Sequence, residues 1–236
     1  MKISIIIPVY NEQKTISDVL RAVDRLKLDH VTKEVIIVDD GSKDASKERI
    51  KNAKIDGMKM FFHDRNMGKG AAIKTGIQHA TGDYIVIQDA DTEYNPEDIK
   101  KLLSAVGDEK DSVVYGTRLN RMPNFNKDER TLLFFSHYFG NRFLSLFTSL
   151  LYGQWLTDME TCYKLFPRTA VEKMHLASKG FAFEPEITAK LLKLGYKIKE
   201  VSITTKPRDY SEGKKLHAWK EGPIALWTLL KYRILN

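Results

Sequence analysis

Residues 84–96 read YIVIQDADTEYNP, four apolar residues followed by three acidic ones at alternate positions and a closing turn. The apolar run predicts a buried strand. The alternate spacing would place Asp89, Asp91 and Glu93 on one side of an extended segment, converging on one point. Such convergence favours a hard divalent cation such as Mg²⁺ or Mn²⁺. The alternative is an acidic turn whose Asn-Pro caps the next helix.

The same kind of apolar run recurs through the first 120 residues and predicts the fold class. Strands are predicted at 3–9, 34–40, 58–63, 83–88 and 112–117, with helices at 15–26, 44–53, 70–80 and 96–106. Continuous apolar strands separated by helices indicate an α/β fold, a mostly parallel sheet with helices on both faces. Ligands bind at the carboxyl ends of such strands, so the polar residues found there are the candidates for a site.

Composition narrows the class of protein. The 236 residues, 42% of them hydrophobic, suit one large globular domain over 1–236. A single cysteine, Cys162, indicates a reducing, cytoplasmic setting. Residues 197–236 carry nine Lys and Arg against four Asp and Glu, most of the net charge of +7. This basic segment predicts an anionic partner: nucleic acid, a phosphate ligand or a membrane surface.

Six motifs together carry a resemblance to a known family. They are PVYNE at 8–12, DDGS at 39–42, NMGKGAAIKTG at 66–76, QDADTEYNP at 88–96, DMETCYKLF at 158–166 and FEPEITAKL at 183–191. With these motifs in this order, the chain resembles the GT-A fold glycosyltransferases of family 2. Within that family it most closely resembles the polyprenyl-phosphate hexosyltransferases, the group of dolichyl-phosphate mannosyltransferase. The resemblance implies a Rossmann-like GT-A domain with a nucleotide-sugar half at 1–118 and an acceptor half at 119–236.

The resemblance also implies roles for individual residues. Asp91 and Glu93 would bind Mg²⁺ or Mn²⁺, and Asp89 would contact the donor sugar or a metal-bound water. Arg118 and Lys179 would assist the diphosphate or the acceptor phosphate. The implied donor-binding set is Pro8, Tyr10, Glu12, Ile37, Asp39, Asp89, Ala90, Asp91, Arg118 and Lys179. The mannosyltransferase pattern has glutamine in place of Glu93, so UDP-glucose stays a candidate donor beside GDP-mannose.

On the acceptor side the resemblance places Asp158, Glu160 and Thr161, with Arg208 and Lys214 at the acceptor phosphate. The catalytic candidates are Asp91, Arg118 and Asp158. A phosphate monoester loses most of its second proton near neutral pH, since its pKa is about 6. Asp158 is therefore either a general base or a residue that only positions the acceptor.

The implied reaction is inverting transfer of mannose or glucose from a nucleotide sugar to a polyisoprenyl phosphate, dolichyl or undecaprenyl. Two alternatives stay open: a family 2 enzyme that acts on a soluble glycan hydroxyl, and a metal-dependent nucleotidyltransferase. Nucleic acid is not an expected partner, because the aromatic residues do not interleave with Lys and Arg as stacking platforms would.

Two apolar segments indicate a membrane surface. In the predicted helix 131–152 a narrow polar stripe (His137, Asn141, Ser145 and Ser149) interrupts an otherwise apolar surface. Such a helix can lie in the membrane interface with its broad face in lipid, or be a core helix or a homo-oligomer contact. Residues 223–235 form a second amphipathic segment, and the basic loop 204–220 could close over the donor. We expect peripheral attachment to the cytoplasmic face of a membrane.

Overall fold

The computed structural model describes residues 1–107, 111–119, 132–206 and 218–235, with the backbone alone for 132–137 and 218–220. Seven strands form one sheet in the order β3-β2-β1-β4-β6-β5-β7. They are β1 (Lys2–Val9), β2 (Thr32–Asp39), β3 (Lys59–Phe62), β4 (Tyr84–Ile87), β5 (Val113–Thr117), β6 (Lys164–Pro167) and β7 (Ile198–Ser202).

Only β6 runs against the direction of the other strands. It pairs antiparallel with both β4 and β5, whereas every other neighbouring pair is parallel. The carboxyl ends of β1, β2, β4 and β5 therefore share one edge of the sheet, and the start of β6 lies at the same edge. The predicted mostly parallel α/β fold is confirmed, and β6 and β7 are the strands that the sequence pattern did not predict.

In the part of the chain that the structure describes, eight α-helices pack around the sheet. They are α1 (Ile16–Arg25), α2 (Ser46–Lys51), α3 (Lys69–Gln78), α4 (Ile99–Val106), α5 (Leu132–Tyr152), α6 (Arg168–Glu172), α7 (Phe183–Lys193) and α8 (Ala218–Ile234). Two apolar cores explain the continuous apolar strands. Ile5 and Ile7 of β1 pack with α1 and α4 on one face, while Ile6 packs with α3 and α7 on the other. Both faces are covered, so successive residues are apolar.

The acidic stretch after β4 also contains the predicted helix start. The Asn95 side chain accepts a hydrogen bond from the Glu97 N–H at 3.1 Å, and Pro96 opens a 3₁₀ turn that leads into α4. The capping interpretation is therefore correct for Asn95 and Pro96. It does not account for Asp89, Asp91 and Glu93, which precede the cap.

Helices α5 and α8 pack together beside α7 and form a third apolar cluster. The described part of the polar stripe on α5 faces the protein: Ser145 Oγ accepts from the Met159 N–H and Ser149 Oγ from the Leu156 N–H, both at 2.9 Å. The opposite face of α5 is apolar and exposed at Phe139, Phe143 and Leu150. Among the described residues, no helix is both long and apolar enough to cross a bilayer.

The sheet joins both predicted halves of the chain, because β4 pairs with β6 and β5 pairs with β7. The division at residue 118 into a donor half and an acceptor half stays a prediction.

Candidate active site

The loops that follow β1 and β2 are bonded to each other at the common edge. Ser42 Oγ accepts a hydrogen bond from the Asn11 N–H at 2.9 Å, and Ser46 Oγ accepts one from the Glu12 N–H at 2.8 Å. Asp39 Oδ1 accepts from the Ser42 N–H at 2.9 Å. These bonds fix the backbone beside the half-buried side chains of Pro8, Tyr10 and Glu12.

Asp39 keeps one carboxylate oxygen without a partner. The residue is 1% exposed, and among the described residues nothing donates a hydrogen bond to Oδ2. A buried acceptor without a donor is costly, so the position favours a ligand that carries an N–H or O–H group. Ile37, by contrast, is fully buried in the core below this edge.

Asp40 organises the turn before α3. Its carboxylate accepts from His63 Nδ1 at 2.7 Å and from the backbone N–H groups of Met67 and Gly68 at 2.9 and 2.7 Å. Gly68 has φ +97°, and a Cβ there would lie 2.4 Å from the Lys179 carbonyl oxygen. Glycine is therefore required for this contact, which holds the Lys179 backbone against the turn while the Lys179 side chain is exposed.

The Lys69 side chain joins three of the motifs. Its Nζ lies 2.8 Å from Asp89 Oδ1, 3.0 Å from Glu184 Oε1 and 2.9 Å from Cys162 Sγ. Burial alone would lower the pKa of Lys69, but Asp89, Cys162 and Glu184 hold that pKa well above its ordinary value. For Asp89 burial raises the pKa, yet Lys69 keeps it below its usual range. The pair is therefore ionised, and Asp89 is held by Lys69.

Asp91 and Glu93, the other two carboxylates of this stretch, are half-buried at the same edge. Asp91 Oδ1 accepts from the Glu93 N–H at 3.1 Å. Within the described residues no group of three or more His, Cys, Asp and Glu side chains could hold a metal ion. Mg²⁺ commonly binds through one or two carboxylates plus substrate phosphates, so these two residues fit an ion shared with a diphosphate.

Arg118 and Asp158 form a two-pronged ion pair at the end of β5. Arg118 Nε and Nη2 each lie 2.7 Å from the Asp158 carboxylate, and the Arg118 N–H donates to the same group at 2.9 Å. Arg118 Nη1 donates to the Tyr94 hydroxyl at 3.0 Å. Asp158 is fully buried and both its oxygens are bound by Arg118, which suits it to positioning the guanidinium.

Glu160 is close enough to this pair and to Glu184 for their charges to affect its pKa. Its Oε1 is buried and has no hydrogen-bond partner among the described residues. Burial and then the nearby Glu184 carboxylate raise the pKa of Glu160 to about 7, against the opposing effects of Lys164 and Arg118. Lys164 itself is fully buried, and its ammonium donates to the carbonyls of Met159 and Thr161.

The basic loop begins beside the acidic stretch. The Lys206 N–H donates to the Glu93 carbonyl at 3.0 Å, and Thr205 forms an isolated bridge with Tyr94. Arg208 and Lys214, the predicted acceptor-phosphate residues, lie outside the described residues. The sequence motifs contain Asp40, Lys69, Tyr94 and Glu184, but the resemblance assigned no role to these four residues.

Known proteins resemble the chain in sequence. The family described as Glycosyl transferase family 2 matches residues 4–174. A Methanococcus voltae protein named UDP-N-acetylglucosamine–dolichyl-phosphate N-acetylglucosaminyltransferase is 31% identical over 230 residues, covering 89% of this chain and 87% of that protein. Glycosyltransferase AglJ of Haloferax volcanii is 27% identical over 230 residues, covering 97% of this chain and 71% of that protein.

Solved structures resemble it in fold. Glucosyl-3-phosphoglycerate synthase of Mycobacterium tuberculosis, in complex with Mn²⁺, uridine diphosphate and glucosyl-3-phosphoglycerate, matches with a TM-score of 0.73 at 18% identity. The match covers 100% of this chain and 81% of that chain. A complex of the same synthase with Mg²⁺ and uridine diphosphate matches with a TM-score of 0.70 at 18% identity, covering 100% and 80%. The fold of the whole chain is therefore GT-A-like.

The buried Arg118–Asp158 pair predicts a large effect on stability. Asp158→Asn leaves a mostly buried guanidinium without its counter-charge, so we expect the free energy of unfolding to fall by about 3 kcal/mol or more. Urea unfolding at neutral pH measures the change. The matched control is Glu172→Gln, which breaks an ion pair with Arg168 whose side chains are 40% and 51% exposed. The control should lose no more than about 1 kcal/mol, and an equally small loss for Asp158→Asn would contradict the prediction.

Proposed function

The chain belongs to glycosyl transferase family 2, and we propose that it transfers a hexose from a nucleotide sugar to a polyisoprenyl phosphate with inversion. The observation that carries the donor half of this proposal is the common edge of β1, β2, β4 and β5. There Asp39, with an acceptor oxygen that has no partner among the described residues, ends β2, the carboxylates of Asp91 and Glu93 follow β4, and the Arg118 guanidinium follows β5. A nucleotide sugar presents matching groups, because its base can donate to Asp39 and its metal-bound diphosphate can contact the other groups.

The nucleoside would lie at the ends of β1 and β2. Asp39 Oδ2 can accept a hydrogen bond from a ring N–H of the base, which would give this buried oxygen the donor that it lacks. Pro8, Tyr10 and Glu12 would line the ribose side, since Pro8 stands near the end of β1 and the other two stand on the following loop, which is bonded to the β2 turn. Because Ile37 is fully buried, it can only support the nucleoside-binding ends of β1 and β2 from the core.

The diphosphate would lie at the end of β4, opposite Arg118. Asp91 and Glu93 would hold Mg²⁺ or Mn²⁺, the two ions named with the solved structures of similar fold. When bound, such an ion stabilises the charge of the departing nucleoside diphosphate as a Lewis acid. Arg118, oriented by Asp158 and Tyr94, presents a fixed cation toward the same charge. Asp89 and Ala90 would contact the donor on the sugar side.

Two observations support a polyisoprenyl phosphate as the acceptor: the name of a relative, and an exposed apolar surface of this chain. The Methanococcus voltae relative is named for transfer to dolichyl phosphate. In this chain the segment that leads to Arg208 and Lys214 is bonded to Glu93 and Tyr94, so the basic loop starts beside the proposed metal ligands. A phosphate acceptor with a pKa of about 6 is mostly dianionic at neutral pH and needs no general base. This agrees with an Asp158 that only positions Arg118.

The surface is an exposed apolar face on α5 and α8, which we name the apolar face. Its members are Phe139, Phe143, Leu146, Leu150, Ile224, Trp227, Leu230 and Ile234. Exposed Lys231 and Arg233 border it. Exposed apolar residues on two helices that pack together, with basic residues on one of them, suit the interface of an anionic membrane. Peripheral attachment on the cytoplasmic side would bring a lipid-linked phosphate to the protein.

The decisive experiment for the function is a transfer assay. The protein is incubated with labelled UDP-N-acetylglucosamine, UDP-glucose or GDP-mannose, together with dolichyl or undecaprenyl phosphate and Mg²⁺ or Mn²⁺. We expect label in the organic phase with at least one donor. Asp91→Asn should abolish this transfer, because losing a hard ligand removes several kcal/mol of transition-state stabilisation.

The matched control for Asp91→Asn is Asp56→Asn, at an exposed position away from the edge, which should keep full activity. A second arm replaces the lipid with 3-phosphoglycerate or soluble glycans. Label that stays in the aqueous phase on a soluble acceptor, with none in the organic phase for any donor, would defeat the polyisoprenyl assignment. Full activity in excess EDTA, with metal content checked by mass spectrometry, would defeat the metal assignment.

The apolar face predicts binding to anionic vesicles. The protein should sediment with phosphatidylglycerol-containing liposomes at low salt and be partly released at high salt, because the electrostatic attraction is screened. Phe139→Ser and Phe143→Ser together should weaken sedimentation and leave nucleotide binding unchanged. Met60→Ser, a partly exposed apolar position on the edge strand β3, is the control. Sedimentation of the double variant equal to that of the control would show that lipid does not contact this face.

A further inference from the structure

Two carboxyl groups behind the acidic edge each keep one oxygen without a partner. Glu160 Oε1 and Glu184 Oε2 are both buried, and among the described residues neither accepts a hydrogen bond. Glu184 belongs to the first turn of α7 and is 4% exposed. Its other oxygen is bound to Lys69 at 3.0 Å. Two unpaired acceptors at one place need an explanation, because each one costs free energy in the ligand-free protein.

The charged groups that face Glu160 come from three elements and the loop before β6. They are Glu184 on α7, Lys164 on β6, Arg118 after β5, and Asp158 in the preceding loop. Among the described residues, neither cation donates a hydrogen bond to Glu160 Oε1. Lys164 donates to the carbonyls of Met159 and Thr161, and Arg118 is held by Asp158. The protein therefore leaves the two acceptors available to a ligand.

The two carboxyl groups of Glu160 and Glu184 limit the kind of ligand that can bind between them. A phosphate has no donor at neutral pH and would be repelled by two carboxyl groups, so this is not an anion site. A bare metal ion is also disfavoured, because the Lys69 ammonium already occupies one side of Glu184. Hydroxyl groups match, since each O–H can donate to a carboxylate oxygen that has no other partner. Lys69 also ties Glu184 to Asp89, two residues before the proposed metal ligand Asp91.

We propose that Glu160 and Glu184 form a subsite that binds hydroxyl groups of the transferred hexose and so determines which sugar the enzyme takes. This inference rests on the proposed donor site and is independent of the acceptor. The hexose is the part of the donor that extends from the diphosphate, so it would reach past Asp89 toward Glu184. Glu160 would then accept a hydrogen bond from a second hydroxyl group of the hexose, the one nearer to Arg118.

The subsite predicts that the affinity for the sugar nucleotide depends on pH in a way that the affinity for the nucleotide alone does not. A hydroxyl donates more strongly to an ionised carboxylate than to a neutral carboxyl group. Glu160, with its pKa raised to about 7 by burial and by Glu184, is increasingly ionised above that pH. Binding of the sugar should therefore tighten as the pH rises through 7 and weaken as it falls below.

The test compares sugar nucleotides with the matching nucleoside diphosphates by calorimetry in Mg²⁺. UDP, UDP-glucose, UDP-N-acetylglucosamine, GDP and GDP-mannose are titrated into the wild type, Glu160→Gln and Glu184→Gln. For the preferred donor we expect each variant to bind the sugar nucleotide about ten-fold more weakly, the size of one lost charged hydrogen bond. Affinity for the diphosphate should stay within about two-fold of wild type. Glu160→Gln should also remove the pH dependence of the ratio between the two affinities.

Unfolding curves show whether each variant folds. Glu160→Gln changes a carboxyl group whose Oε1 has no partner among the described residues, so it keeps the test decisive if Glu184→Gln, which disrupts the ion pair with Lys69, does not fold. Glu172→Gln is the control and should change neither affinity. Equal weakening of the sugar nucleotide and the diphosphate, or no change in either, would overturn the subsite while leaving the proposed function intact. Wild-type protein that binds no nucleotide at all would overturn both. A failure to transfer sugar to lipid would overturn the acceptor assignment alone.

Discussion

The ammonium of Lys69 connects the parts of the molecule on which the site depends. It stands at the start of α3 and contacts Asp89 after β4, Cys162 before β6 and Glu184 on α7. These segments are far apart in the chain, so the contacts fix their relative positions at the edge of the sheet. A buried cation with two carboxylates and a thiol around it is stable only when all partners are present. The arrangement also holds Asp89 in its ionised form, directly before the proposed metal ligands.

The carboxyl groups at this edge are of two kinds. Some have both oxygens hydrogen-bonded within the protein, and others keep one oxygen to which a ligand could donate a hydrogen bond. Asp40 and Asp158 have both oxygens engaged, by backbone N–H groups and by Arg118 respectively. Asp39, Glu160 and Glu184 each retain a buried oxygen to which no described residue donates a hydrogen bond. The first group explains how the loops keep their shape. The second marks where a nucleotide sugar would supply hydrogen bonds, from the base at Asp39 to the hexose at Glu160 and Glu184.

The elements that the sequence predicts well are those with a strong local pattern. Strands β1, β2 and β4 are continuous apolar runs because both of their faces are covered. The polar motifs that follow these strands predicted a ligand site at the edge where their carboxyl ends meet. Strand β6 was missed because it has four residues and begins with the buried Lys164, which no periodicity distinguishes from a loop. Lys69 and Glu184 were missed as partners because their contact joins residues more than a hundred positions apart, which only the folded chain brings together.

Anomalous diffraction from crystals grown with Mn²⁺ and UDP or GDP tests the central claim most directly, because it locates the ion and the nucleotide together. The predicted result is a manganese peak within coordination distance of Asp91, shared with the diphosphate, and a base whose N–H donates to Asp39 Oδ2. A nucleotide bound away from the common edge of β1, β2 and β4, or a manganese ion that does not contact Asp91, would contradict the assignment of this edge as the donor site.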